Sequence, residues 1–187
     1  MIYTAIIGDR DAPRNDIKVF QTYDQFKLPV LNAKIYKVLA HLFVPGNSIW
    51  VDGNIWPLVT ENEVFDEISF DCDMAMFRHP GRNSAHSEAK VLLEHKIGSV
   101  SDMQDWLQRT EGRGFGLFEA NIIVRRDTER TRRFNECWWS LICRYPWRDQ
   151  ITLPEALRVS GCRVHRFDWK SESDRSHRFF KFKLHGQ

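Results

Sequence analysis

The fold interpretation of this chain starts at residues 48–54, which read SIWVDGN. The first four residues predict a short apolar strand, and Asp52 and Asn54 follow at its carboxyl end. Carboxylate and carboxamide oxygens two positions apart can chelate Mg²⁺ or Mn²⁺, which completes its shell with water and substrate phosphates. Asp-Gly between apolar residues is also typical of a hairpin turn. The stretch therefore predicts either a metal-binding strand end or a plain turn.

Strand-like and helix-like segments alternate on both sides of this stretch. Apolar runs bounded by turn residues predict strands at 2–7, 17–22, 48–51, 64–70, 74–77, 117–124, 162–167 and 179–184. Apolar residues at helical spacing predict helices in the regions 32–43, 85–97, 101–112, 134–145 and 152–161. This interleaving predicts an α/β sandwich with a mostly parallel or mixed sheet, whose ligands bind at the carboxyl ends of the strands.

Several helix ends carry specific signals. Asn32 is a candidate N-cap for the first helix. Ser101 and Thr152 are each followed three residues later by Gln or Glu, a capping-box pattern that predicts helix starts at these two positions. Pro146 is expected to end the helix before it, and Gly161 to follow the end of the last helix.

Composition limits the class of protein. A chain of 187 residues with 42% apolar residues can bury a core of its own, so we expect one domain over residues 1–187. The 27 Lys and Arg residues against 25 Asp and Glu residues give a net charge of +2, which indicates no global attraction to nucleic acid or to a membrane surface. Without a long apolar run or a signal-peptide pattern, the sequence predicts a cytoplasmic protein with no membrane span.

The four cysteines give little support to a disulfide or metal scaffold. Cys72, Cys137, Cys143 and Cys162 lie far apart, with no Cys-x-x-Cys pair. A zinc site made of Cys162, His165 and one of the other two late cysteines is an alternative. Irregular spacing favours buried thiols instead.

A second group of charged residues is Arg148-Asp149-Gln150. It lies between a helix-ending proline and a helix-capping threonine, so we expect a rigid loop that can aim charged groups at a ligand. The alternative is that Arg148 and Asp149 pair with each other or with the helix ends.

Two further segments carry positive charge. His79 and Arg82 leave a predicted strand and enter a helix N-terminus, where backbone N–H groups favour anions such as phosphate. A surface turn explains the same pattern. Lys34 and Lys37 share one helical face shortly before the Asp52 strand, and the ordinary interpretation of such lysines is a solvated face.

Residues 112–119 read GRGFGLFE and combine three glycines with an acid, Glu119, at the start of a strand. The pattern is neither a P-loop nor a dinucleotide fingerprint, because it opens a strand and not a helix. The glycines would still let the backbone approach a ligand closely.

Taken together and in order, these segments resemble a glycosyltransferase-like family. The family was long catalogued as a domain of unknown function, and it is known from plant proteins of cell-wall and mucilage polysaccharide formation and from bacterial and phage relatives. The resemblance covers residues 3–157, and its most specific parts are WVDGN at 50–54 and the WW…RDQ segments. The matching segments are YTAIIGD at 3–9, residues 34–41, SIWVDGN at 48–54, HPGR at 79–82, GLFE at 116–119 with Arg125-Arg126, and ECWW at 136–139 leading to 148–150.

The resemblance implies a GT-A-type fold, a Rossmann-like sandwich that transfers a sugar from a nucleotide-sugar. In such a fold an Asp-x-Asp-like motif holds Mn²⁺ or Mg²⁺ against the diphosphate. Asp52 and Asn54 take the place of that motif, and Asn54 departs from a strict second Asp. His165, His177 and His185 are available as a third ligand, and the sequence does not choose among them.

The resemblance also implies roles for the other segments. Lys37 or Arg82 would stabilise the leaving diphosphate. Asp149, flanked by Arg148 and Gln150, would face the sugar and acceptor, and in an inverting reaction it is the candidate base. The strand beginning at Tyr3 would carry the base and ribose, although Tyr3 equally fits an ordinary strand aromatic. The expected donor-binding set is Tyr3, Asp9, Lys34, Lys37, Asp52, Gly53, Asn54, His79, Arg82 and Glu119.

The segment 158–187 supports alternative functions. It carries eight basic residues against three acidic ones, a local charge of +5, interleaved with phenylalanines. Such a surface can track a phosphate backbone, although alternating Phe and Lys is also typical of an amphipathic strand. The alternatives are a transferase that glycosylates a modified base in DNA, a nucleic-acid-binding module, and a carbohydrate-binding protein with tryptophan platforms. Polysaccharide and modified DNA both remain candidate acceptors.

Overall fold

The structure is a computed structural model, and it describes residues 1–8, 11–113, 116–145, 148–170 and 176–183. Strands and helices alternate along most of the chain. The strands are β1 (Ile2–Ala5), β2 (Lys18–Phe20), β3 (Ser48–Val51), β4 (Ile55–Pro57), β5 (Met74–Arg78), β6 (Phe118–Arg125), β7 (Val164–Phe167) and β8 (Phe180–Phe182). The helices are α1 (Pro29–Val38), a 3₁₀ turn (Ala40–Leu42), α2 (Glu61–Asp66), α3 (Ala85–Glu94), α4 (Val100–Arg109), α5 (Glu129–Arg144) and α6 (Asp149–Ser160).

A six-stranded mixed sheet forms the centre of the fold, in the order β2-β1-β3-β6-β5-β7. Strand β6 runs antiparallel to β3 and β5, and the other neighbouring pairs are parallel. The ends of β1, β3, β5 and β7 therefore share one edge with the start of β6. The α/β class with a mixed central sheet, predicted from the sequence, is confirmed.

Both faces of the central sheet are covered, which explains the apolar character of β3. Trp50 packs on one face with α1, α5 and α6, while Ile49 and Val51 pack on the other face with α2 and a two-stranded sheet of β4 and β8. All four residues of β3 are buried. A strand buried on both sides reads as a continuous apolar run, which is why residues 48–51 were predicted with their observed bounds.

The start of β5 is tied to two other elements through the buried carboxylate of Asp73. Arg130 of α5 donates to both of its oxygens at 2.9 and 3.0 Å, and the backbone N–H of Arg163 donates at 2.9 Å. Burial alone would raise the pKa of Asp73, but these hydrogen bonds outweigh it and hold the pKa below its usual value. Asp73 thus joins α5 and the segment before β7 to the central sheet.

Two elements differ in type from the sequence expectation. Residues 64–70 were predicted as a strand, but helix α2 takes in 64–66 and the rest is turn and irregular structure. A capping box starts the helix, in which Thr60 and Glu63 bond each other's backbone N–H groups. The short strand β4 was not predicted; it forms by pairing with β8, far along the chain. At α2 the local capping box, and at β4 the long-range pairing with β8, decides the structure in place of the apolar pattern.

Three of the helix-start positions predicted from capping signals are also wrong. Helix α1 begins before Asn32, whose side chain instead exchanges two hydrogen bonds with the backbone of Phe26. Ser99, not Ser101, caps α4. Helix α6 begins at Asp149 and not after Thr152, and Gly161 ends it in the left-handed conformation with φ 70°. The segment 148–150 is therefore a helix start, and the prediction of a loop there was wrong.

The cysteines are not buried as expected. Cys72, Cys137 and Cys162 are half-buried and Cys143 is exposed, and all four are free thiols. Partial burial raises the pKa of each thiol above its usual value, so the thiols are protonated at neutral pH. Within the described ranges, none of the helices is long and apolar enough to cross a membrane.

Candidate functional site

A cavity of about 600 Å³ opens at the sheet edge where β1 and β3 end. This is the edge at which sheets of parallel strands bind ligands, and the volume is typical of a small-molecule site. Apolar side chains from α1, β3 and the α3–α4 region form part of the wall. The charged residues lining the cavity are Asp11, Lys34, Lys37, Asp52, Arg148 and Asp149.

Four of these charged groups form a continuous chain of ion pairs. The Nζ of Lys37 lies 2.7 Å from Oδ2 of Asp149 and 3.3 Å from Oδ1 of Asp52. The Nζ of Lys34 lies 3.5 Å from the other oxygen of Asp149. The indole N–H of Trp50 donates to Oδ1 of Asp52 at 2.8 Å. Two lysines are thereby held between two carboxylates at the cavity wall.

Local structure explains why these side chains meet. Lys34 and Lys37 are three positions apart in α1 and so share one helical face. Asp149 is the first residue of α6, where the helix dipole favours a carboxylate, and its carbonyl accepts a hydrogen bond from Nε1 of Trp138 at 3.0 Å. Asp52 directly follows β3. Each charge is therefore fixed by a regular element or its end.

The pKa values follow from this pairing. Burial raises the pKa of Asp149, but the charges of Lys34 and Lys37 outweigh burial and hold that pKa far below its usual value. Burial lowers the pKa of Lys37, but Asp149 and Asp52 outweigh it, so the pKa lies above its usual value. The pKa of Lys34 is lowered by burial, and Asp149 offsets only part of that effect. Asp149 and Lys37 are thus both charged at neutral pH.

A further carboxylate, that of Asp11 from the segment between β1 and β2, reaches the cavity beside the turn after β3. Gly53 has no side chain, and a Cβ there would lie 2.6 Å from Oδ2 of Asp11. Nη1 of buried Arg14 donates to the carbonyls of Gly53 and Ile55, at 3.3 and 2.6 Å, and so holds the turn in place. Sequence reasoning missed Asp11 and Arg14. The one sequence feature that pointed to them was Gly53, and a single sequence does not reveal which residue packs against a glycine.

Asn54 lies on the far side of this turn. Its Nδ2 donates to the carbonyl of Lys183 at 3.0 Å, next to the β4–β8 pairing, and it is not one of the cavity-lining residues. Residues 52–55 do form a turn, closed by a hydrogen bond from Ile55 N to Asp52 O at 2.9 Å. However, β3 and β4 belong to different sheets. The predicted turn therefore forms, but it does not join two paired strands as a hairpin would.

Other predicted donor-binding residues lie away from the cavity. Tyr3 is fully buried beneath Trp50, and its hydroxyl donates to the carbonyl of Tyr36 at 3.1 Å. The ring of buried His79 accepts from the backbone N–H groups of Gly81 and Arg82 at 3.1 and 3.0 Å. Arg82 forms an ion pair with buried Glu88. The structure gives Tyr3 and His79 structural contacts and does not bring them into the cavity lining.

The remaining predicted residues divide between the rim and the core. Arg148 is exposed at the N-cap of α6 and lines the cavity, whereas Gln150, two positions on, is half-buried and does not. Glu119 is buried in β6 opposite Phe77. Asp9 falls outside the described residues. Of the predicted site residues, the lining of the cavity holds Lys34, Lys37, Asp52, Gly53, Arg148 and Asp149.

Two of the three late histidines proposed as third metal ligands are described by the structure, and neither lines the cavity. His165 accepts a hydrogen bond from Ser69 N at 3.4 Å, and the ring of His177 packs edge-on against Phe77; His185 falls outside the described residues. In the part of the chain that the structure describes, no three His, Cys, Asp or Glu side chains gather as a metal site requires. The zinc alternative at Cys162 and His165 gains no support.

Comparison with solved structures gives partial likenesses in fold, which include two glycosyltransferases. No family model matches the chain, and no curated protein matches it. The crystal structure of a glycosyltransferase involved in the glycosylation of the major capsid of PBCV-1 matches with a TM-score of 0.49 and 9% identity, over 81% of this chain and 65% of that chain. Mouse xyloside xylosyltransferase 1 in its apo form matches with a TM-score of 0.43 and 15% identity, over 80% of this chain and 62% of that chain.

This chain therefore spans slightly less than two thirds of each of these glycosyltransferases. Because both TM-scores lie below 0.5, these likenesses do not indicate a function for this chain.

Proposed function

We propose that this chain is a GT-A-type glycosyltransferase that binds a nucleotide-sugar in the cavity, with the diphosphate against Lys34 and Lys37. The observation that carries the proposal is the pair of lysines held by Asp52 and Asp149 at the ligand-binding edge of the sheet. The resemblance of the WVDGN and RDQ segments to a glycosyltransferase-like family supports the same choice of donor.

The charge arrangement suits departure of a diphosphate. Sugar transfer breaks the bond between the anomeric carbon and a diphosphate oxygen, so negative charge grows on the leaving group. The ammonium group of Lys37 is largely buried, and a buried cation interacts more strongly with such charge than one in water. Because Asp52 and Asp149 already fix this group, it needs little reorganisation when charge develops.

Asp149 fits best as the residue that positions the two lysines. A carboxylate whose pKa is held far below its usual value is a weak proton acceptor. Its assignment as the base of an inverting reaction stays a prediction. Arg148, exposed at the rim, is placed to contact a donor or an acceptor.

The carboxylate oxygens beside the turn after β3 fit a divalent cation. Asp52 and Asp11 present carboxylates to the same cavity, and the absent side chain of Gly53 leaves the space into which Asp11 fits. Mg²⁺ and Mn²⁺ accept such a small protein ligand set when phosphates complete the shell. We therefore propose Asp52 and Asp11 as ligands, in place of Asn54, which does not line the cavity. When bound, the cation would offset negative charge on the leaving diphosphate.

The test is a thermal-shift screen with nucleoside diphosphates and their sugars, with and without Mn²⁺. A ligand that binds only the folded state raises the melting temperature by mass action. We expect at least one diphosphate to stabilise the wild-type protein, and K37M to lose most of that shift. The matched control K90M removes an exposed lysine of α3 and should behave as wild type. Absence of a shift with every diphosphate would contradict the proposal.

The basic segment 158–187 gives no specific support to a DNA acceptor. Arg163, Arg166 and Arg178 form ion pairs with Asp71, Asp168 and Glu67. These pairs reduce the local field that would attract a phosphate backbone. The acceptor, whether polysaccharide or modified DNA, stays a prediction.

A further inference from the structure

Arg125 is a buried cation on the face of the sheet that packs against α1. Arg125 is 2% exposed, and its Nη2 donates to the backbone carbonyl of Lys37 at 2.8 Å. The other two guanidinium positions, Nε and Nη1, are buried without a hydrogen bond of good geometry, and the hydroxyl of Tyr3 is a polar side-chain group that interacts with the guanidinium. Among the ion pairs of the described residues, none joins Arg125 to an Asp or Glu.

The groups that interact most with Arg125 supply no negative charge. Burial raises the pKa of Tyr3 to about 12, despite the opposing charge of Arg125. Burial also raises the pKa of the Cys162 thiol. Both side chains are therefore neutral at physiological pH. A guanidinium is permanently charged, and an uncompensated charge in a protein interior is strongly destabilising.

A small second cavity adjoins Arg125 at the opposite edge of the sheet from the donor site. Its volume is about 10 Å³, which is room for the centre of one water-sized species. Its polar lining includes His41, Arg125, Arg126, Asp127, Arg132 and Asn135. Asp127, the acid in this group, is held by two hydrogen bonds from Arg132, both 2.9 Å long. Positive charge thus exceeds negative charge around this space.

We propose that this second cavity binds one small monovalent inorganic anion, such as chloride, as the counter-ion of Arg125. The Nε and Nη1 N–H groups of Arg125 and the cationic lining supply the charge and the hydrogen-bond donors that such an ion requires. A water molecule would satisfy a hydrogen bond there but would leave the charge uncompensated. The size of the cavity excludes nucleotides and sugars.

An anion at this position would also act on the donor site. Arg125 holds the backbone carbonyl of Lys37. The side chain of Lys37 belongs to the chain of ion pairs in the larger cavity, called the main cavity from here on. Fixing the guanidinium therefore fixes the backbone from which Lys37 projects. We expect anion binding to stabilise the folded protein, whether or not a nucleotide-sugar is the donor.

The experiment is a thermal-denaturation titration at constant ionic strength, in which sodium chloride replaces sodium gluconate. The wild-type melting temperature should rise and saturate with chloride, because the anion binds only the folded state. R125M should show no saturating response, while R133M, which removes an exposed arginine of α5, should respond as wild type. Equal wild-type melting temperatures in the two salts would overturn the proposal.

Crystals of the wild-type protein soaked in sodium bromide give a second test that needs no variant. Bromide has an anomalous signal, so an anomalous peak next to Nε or Nη1 of Arg125 is the expected result. Ordinary water in this cavity, without an anomalous peak, would also overturn the proposal. This result can be obtained even if R125M fails to fold. Neither measurement depends on nucleotide binding, so failure here is distinct from failure of the proposed transferase function.

Discussion

Lys37 and Asp149 form the shortest ion pair of the main cavity, with Nζ 2.7 Å from Oδ2 and only 8% and 12% of the two side chains exposed. The pair joins the last turn of α1 to the first residue of α6. Its geometry therefore depends on the correct docking of two helices that are far apart in sequence. The pair accounts for two of the six charged residues that line the cavity.

Replacing Lys37 by Met should destabilise the protein by about 3–5 kcal/mol, because it removes one partner of a buried pair and leaves Asp149 with Lys34 alone. Urea unfolding measures the change. K90M, at an exposed position, should stay within about 0.5 kcal/mol of wild type. A loss below about 1 kcal/mol for K37M would mean that the pair is far more solvated than the structure indicates.

Asp149 should make stability depend on acid pH. Its folded-state pKa lies below that of the unfolded chain, about 3.9 for Asp. The stabilisation is therefore fully present above about pH 4 and is lost as the pH falls toward the folded-state pKa. The free energy of unfolding, measured by urea titration between about pH 2 and pH 7, should fall less steeply with acid in D149N than in wild type. Identical slopes for the two proteins would contradict the low pKa.

Replacing Gly53 by Ala should weaken nucleoside diphosphate binding about tenfold, equivalent to roughly 1.4 kcal/mol. The new methyl group meets Oδ2 of Asp11 at 2.6 Å and so displaces that carboxylate. Isothermal titration with the stabilising diphosphate and Mn²⁺ measures the effect. G116A is the matched control, because nothing lies within 4 Å of a Cβ at Gly116. Unchanged affinity in G53A would remove Asp11 from the proposed ligand set.

Replacing Asp73 by Asn should cost about 2–4 kcal/mol of stability, since the buried hydrogen bonds from Arg130 and from Arg163 N lose their charged acceptor. Diphosphate binding well below the melting temperature should stay close to wild type, because Asp73 is not a cavity residue. Calorimetry measures the change in stability, and isothermal titration measures the affinity for the diphosphate. D71N, at an exposed ion pair with Arg163, should cost less than about 1 kcal/mol.

Local patterns predicted those elements whose environment is uniform along their length. Strand β3 is buried on both faces, and the stripe from residue 134 to residue 142 of α5 faces the core, so hydrophobic spacing alone located them. Gly161 was correctly expected after the last helix, since its φ of 70° is unfavourable for residues with a Cβ. These predictions depend on the chain within one or two turns of each residue.

Errors arose where distant partners decide the structure. Helix α6 begins at Asp149, where lysines of α1 and Trp138 of α5 bind the carboxylate and carbonyl of that residue, and not at the Thr152 capping pattern. Asp11 fits at the cavity because Gly53 has no side chain, and Asn54 lies away from the cavity, where its amide N–H binds the carbonyl of Lys183. In each case the deciding contact is a long-range one, which a single sequence does not reveal.

The pairing of β4 with β8 has a consequence for synthesis of the protein. The backbone carbonyl of Asn54, within the turn after Asp52, accepts a hydrogen bond from the N–H of Lys183, a residue 129 positions later. On the ribosome, the nascent chain emerges from its N-terminus, and contacts this distant in sequence form late. The turn beside the cavity is thus completed only after residue 183 has emerged, so a partly translated chain would present Lys34 and Lys37 before that turn is fixed.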